Sequence, residues 1–75
     1  MVMADTIVIY VRLTNENVEV WRPINAEHIR ANTYRIAEQP YDHESEIWEF
    51  EPGDEVICEQ IQSSDGPIRA AIREV

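Results

Sequence analysis

Residues 6–13, TIVIYVRL, alternate with a period of two: Ile7, Ile9, Val11 and Leu13 fall on one face, Thr6, Val8, Tyr10 and Arg12 on the other. A helix would need apolar residues three and four apart, whereas β-branched side chains at alternate positions suit a pleated, half-buried strand. In a chain of 75 residues this strand fixes the fold class, because there is room for only one domain, residues 1–75. A domain of this size buries roughly 60 to 65% of its unfolded surface, which disfavours a deep catalytic pocket in a monomer.

The rest of the chain repeats the pattern between turn signals. TNEN at 14–17 predicts a four-residue polar turn, since asparagine tolerates left-handed backbone. A second strand then begins with Val18 and Val20 inward and Glu19 and Trp21 outward. Pro23 has no N–H to donate, so this strand must bend, bulge or lie on an edge there. RAN at 30–32 turns the chain into TYRIAE, where Tyr34 and Ile36 alternate with Arg35 and Ala37. QPYDHES at 39–45 has neither period and reads as a long exposed loop. Trp48 and Phe50 follow at alternate positions, then a Pro52-Gly53 pair suited to a type II turn and a strand through Val56, Cys58 and Ile61. SSDGP at 63–67 closes a last hairpin, and IRAAIREV supplies a final strand, with a helix over 68–75 as the alternative because RAAIRE contains good helix formers. About five short strands predict an all-β domain: a small antiparallel sheet or an SH3-like, partly open barrel.

Charge is distributed unevenly. Between Ile36 and Ile68 ten acids and no arginine leave −10; elsewhere five acids and six arginines leave +1, giving the net −9. There is no lysine. Such a field repels phosphate backbones, so no nucleic-acid partner is expected unless the arginines gather on one face. A solvated acidic loop that maintains solubility is the simplest account of the run. The single cysteine excludes an internal disulfide, and MVMADTIVIYVRL lacks the basic region of a signal peptide. No apolar run approaches the roughly 20 residues of a membrane helix, so a cytoplasmic location without a membrane partner is expected.

Residue supply disfavours catalysis. Cys58 alternates with Val56 as a buried thiol would, and Glu55 and Glu59 beside it oppose thiolate formation. The carboxylates are abundant but lie outside any apolar pocket motif. Asp42, His43, Glu44 and Glu46 offer metal donors, yet their spacing matches neither a calcium loop nor a zinc site. His28 fits a strand residue with a satisfied ring better than a ligand. Gly53 and Gly66 both sit in turns, so no glycine-rich phosphate loop exists. No catalytic residue, metal or cofactor is expected. What remains is a set of aromatic and guanidinium groups: Trp21, Arg22, Tyr34, Arg35, Tyr41 and Trp48. Trp, Tyr and Arg anchor interfaces out of proportion to their number. The competing reading puts Trp21 and Trp48 in the core or over a barrel end, with Arg22 and Arg35 paired to the acids of the 38–59 stretch.

With VEVWRPINAEHI at 18–29 and IWEFEPGDEVICEQ at 47–60, the chain resembles a group of short bacterial proteins of unknown function that carry a similar Val-Trp-Arg-Pro segment. The likeness spans about residues 7–60. It implies a bacterial source and an independently folding domain, and it transfers no catalytic residue.

The leading expectation is a non-enzymatic protein-binding module that uses Trp21, Arg22, Tyr34, Arg35 and Trp48, with Glu38, Asp42, Glu44, Glu46, Glu49 and Glu51 as an acidic second surface. An acidic inhibitor or nucleic-acid mimic acting on a basic partner is the second, and a homo-oligomer that buries its own aromatic face is the third.

Overall fold

A computed structural model describes residues 6–75, which form five strands in one sheet and no helix. β1 (Thr6–Arg12), β2 (Trp21–Arg30), β3 (Thr33–Ile36), β4 (Glu55–Ser63) and β5 (Gly66–Glu74) join in that order into a small closed barrel. β5 runs where a helix was the alternative, since it pairs with β4 along its whole length and that ladder overrides the helix propensity of RAAIRE. None of the described residues forms a helix long and apolar enough to cross a membrane.

The alternation of β1 predicts its burial: Ile9, Val11 and Leu13 lie in the core with Ile24, Ala26, Tyr34, Ile36, Trp48, Phe50, Val56 and Cys58. Burying one Ile or Val side chain fully contributes about 1.5–3 kcal/mol, so Ile9, Val11, Ile36 and Val56 are the centre of stability. Two small residues, Ala70 and Ala71, are buried in succession although they face opposite sides: Ala71 lies opposite Cys58 and joins the core, whereas Ala70 lies opposite Glu59 and pairs with Tyr10 at the β1 seam.

The β1–β2 connection differs from the expected four-residue turn. The Leu13 N–H donates to the Val20 carbonyl at 3.0 Å, so the loop spans 14–19. Val18, expected inward, stands in that loop and is 70% exposed. Its alternation with Val20 continues past the end of the ladder, where no partner strand gives the period a meaning.

Pro23 does lie on an edge. It pairs with Tyr10, midway between the Val11–Arg22 and Ile9–Ile24 pairs. The Leu13–Val20 bond, two steps further on, assigns those flanking pairs to the hydrogen-bonded class, so the Pro23 nitrogen faces away from β1. β3 pairs with β2 only from Ala26 onward, so nothing on that side requires a donor at Pro23. The edge is covered next at Asn25, whose N–H donates to Gln39 Oε1 at 3.0 Å while Gln39 Nε2 donates back to the Asn25 carbonyl at 2.8 Å.

Three turns follow the sequence signals. Ala31 and Asn32 link β2 to β3 with Ala31 at φ 44°. Gly53, at φ 94°, supplies the left-handed residue of the Glu51–Asp54 turn, closed by Asp54 N–H donating to the Glu51 carbonyl at 3.0 Å. Ser64 and Asp65 join β4 to β5.

Barrel closure is uneven along β1. One edge of β1 is paired with β2 throughout. On the other edge Tyr10 pairs in parallel with Ala70, and beyond it Leu13 bridges Trp48, with Glu49 N–H donating to the Arg12 carbonyl at 2.9 Å. Among the described residues, the Thr6–Val8 end of β1 has no strand on this edge. A partly open barrel was expected; closure here rests on a single residue pair and on a loop segment that carries Trp48.

A candidate binding groove on the outer face of β1

The aromatic and guanidinium residues singled out in the sequence do not assemble into one surface. Trp48 is 4% exposed and Tyr34 7% exposed, so both are core residues. Trp48 closes the barrel end: its backbone N–H donates to the Tyr41 hydroxyl at 2.6 Å, its ring stacks on Tyr41 at 4.2 Å, and its Nε1 donates to Glu46 at 3.0 Å. Tyr41 therefore anchors a segment expected to be wholly exposed, and His43 stacks on its other side at 3.9 Å.

Arg22 follows the pairing alternative, and Arg35 does so in part, since its shorter contact is with Glu27, outside the 38–59 stretch. Arg22 Nε lies 3.3 Å from Glu46, and Arg35 lies 3.6 Å from Glu27 and 4.0 Å from Glu55. The acidic stretch thus folds back on the barrel at Glu46, and Glu55 pairs from within β4, while Glu38, Asp42, Glu44, Glu49 and Glu51 stay exposed. Asp42 is committed locally: Ser45 Oγ donates to it at 2.6 Å and Glu44 N–H at 3.0 Å. These bonds, with the Ser45 hydroxyl foremost, hold its pKa below the ordinary carboxylate value. The described residues contain no group of three or more His, Cys, Asp or Glu placed to hold a metal ion. His28 hydrogen-bonds the Ala31 carbonyl at 2.8 Å, which satisfies its ring.

Of the set, Tyr34 and Trp21 line neighbouring recesses beside β1 and Tyr41 lines a separate one, and the residues beside Trp21 come from strands the sequence does not connect. The outer face of β1 carries Val8, half exposed, and Tyr10, opposite Pro23. A groove of about 660 Å³ opens between this face and β4–β5, lined by Val8, Tyr10, Cys58, Pro67, Ile68 and Arg69 among others. It lies where the β1–β5 seam parts below Tyr10. A second recess, of about 350 Å³, is lined by Tyr10, Glu19, Val20, Trp21, the Ser63–Asp65 turn and Ile68. Tyr10 and Ile68 line both, so the two recesses adjoin across these two side chains. Trp21 is fixed at its end by Nε1 donating to Glu19 Oε1 at 3.1 Å. Arg69 stands over the Tyr34 ring, 5.5 Å from its centre, and forms part of the wall.

Tyr10 and Ile68 were the residues missed. Each looks like an ordinary strand position, and only the parallel pairing of the first and last strands brings them together. Cys58 reaches the groove wall but is 2% exposed, and burial pushes its thiol up to about 11, with Arg69 opposing the shift. It is held as a neutral thiol rather than an activated nucleophile.

No family model, no curated protein and no solved structure matches this chain. The Val-Trp-Arg-Pro likeness rests on its residues alone.

Proposed function

We propose that this domain is a non-catalytic protein-binding module, acting in the cytoplasm, and that it receives an extended segment of a partner in the groove from Val8 through Tyr10 to Trp21. The observation that supports this reading is that the two recesses adjoin at Tyr10 and Ile68, beside a strand edge that carries no neighbouring strand at Thr6–Val8 among the described residues. Backbone N–H and C=O groups on such an edge pair with an added strand, and alternate side chains of that strand enter the pockets beside it. Tyrosine and tryptophan supply rigid contact area at little entropic cost.

Peptide display on the wild-type domain, with Val8→Glu and Trp21→Ala variants as counter-selections, tests the proposal. Enrichment of extended peptides that both folded variants fail to hold supports it. Peptides retained by both variants, or no enrichment at all, reject it.

A second reading draws on the exposed Glu38, Glu44, Glu49 and Glu51, which would engage a basic groove on another protein. Association driven by those carboxylates slows steeply as salt rises. An on-rate for a basic partner that is indifferent to salt dismisses it.

A further inference from the structure

The two ends of the groove differ in charge. The wider end has Glu59 and Arg69 in its wall, which balance. The narrower end has two aromatic rings, Tyr10 and Trp21, two carboxylates, Glu19 and Asp65, and no basic residue. We infer that this narrower recess takes the cationic side chain, arginine or lysine, of the extended segment; the inference rests on the groove reading and names the chemistry its acidic end selects.

Aromatic faces attract cations through their quadrupole, Trp most strongly, and a neighbouring carboxylate adds a charge-assisted hydrogen bond. Glu19 is held by the indole, and Asp65 stands on an ordered turn. Glu19 uses Oε1 to fix the Trp21 indole and keeps its second oxygen for a guest. Asp65 is presented by a turn in which its N–H donates to Ser63 Oγ at 3.2 Å and that hydroxyl donates to the Gly66 carbonyl at 2.7 Å. The net charge of −9 steers a cationic segment toward the domain. Arg12 opposes a cation here, since it lies opposite Trp21 in the β1–β2 register, but it is outside the lining of the recess. The other arginine bordering the groove, Arg69, belongs to the wider end, so an incoming segment is oriented with its cation at the Trp21 end.

The test titrates acetyl-arginine methylamide into isotopically labelled protein, beside the citrulline compound, which has nearly the same shape without the charge. The expected result is a saturable shift of the Trp21 indole N–H and the Ser63–Asp65 amides with the arginine compound only. Glu19→Gln, which keeps an acceptor for the indole, combined with Asp65→Asn should weaken it at least tenfold, and Arg12→Gln should strengthen it. Equal responses to both compounds, no response at Trp21, or an unchanged affinity in the double variant overturns the inference. Failure here is separable from failure of the groove reading: display-selected peptides that lack Arg and Lys, and that bind the double variant as tightly as the wild type, leave the groove in place without a cation pocket. A failed selection removes both.

Discussion

Trp21 and Arg22 are consecutive in sequence and serve opposite faces of β2: the Trp21 indole donates to Glu19 and lines the outer groove, whereas Arg22 pairs with Glu46 on the side that also bears Ile24 and Ala26. Strand geometry imposes the split, since successive side chains point to opposite faces. Arg22→Ala should therefore cost at most about 1 kcal/mol of stability, as expected of a half-exposed ion pair, and leave groove binding unchanged. Denaturant titration with a binding assay checks both halves of the statement.

Trp48 and Tyr41 hold the long connection against the barrel end. Trp48→Ala should destabilise the domain by about 3–5 kcal/mol, enough to unfold a substantial fraction of so small a protein. Tyr41→Phe keeps the ring stack but removes the acceptor of the Trp48 N–H, and should cost about 1–3 kcal/mol. Urea midpoints for the two variants should rank in that order.

Gly53 is at φ 94°, in space open enough for a methyl group, with Glu38 Oε1 the nearest atom at 3.7 Å from an added Cβ. The penalty of Gly53→Ala is therefore a backbone penalty of about 1–2 kcal/mol, read as a lower melting temperature with the fold retained. Substitution of Glu38 by a smaller side chain should not relieve it.

Cys58 links stability to alkaline pH. Its thiol is raised from an ordinary 9.0 to about 11 by burial, so folding favours the protonated form. That contribution is fully present below pH 9 and is lost as pH rises from 9 to 11, because the unfolded chain ionises first. The loss amounts to at most about 3 kcal/mol. Cys58→Ala should flatten the fall in stability over that window, and thiol reagents should modify the wild type only as fast as it opens.

Much of the barrel was legible in local pattern. The period of two in TIVIYVRL, the Pro52-Gly53 and SSDGP turns and the edge position of Pro23 each follow from one residue's stereochemistry or a short alternation. The opposite faces of Trp21 and Arg22 were also implicit in that alternation. The parallel contact of Tyr10 with Ala70 was not, because it joins residues 60 positions apart and leaves no local mark. The groove depends on that contact, so Ile68 and Tyr10 looked like any half-buried strand residues. Val18 misled for the converse reason: its alternation with Val20 was real but lay beyond the last ladder bond.

The most direct test is the affinity of one display-selected peptide for the wild type, Trp21→Ala and Arg22→Ala, with cooperative unfolding of all three established first. The account predicts that Trp21→Ala weakens binding by more than about 2 kcal/mol, some thirtyfold, while Arg22→Ala leaves it within twofold. Equal losses in both variants, or an unchanged affinity in Trp21→Ala, would contradict a binding site on the outer face of β1.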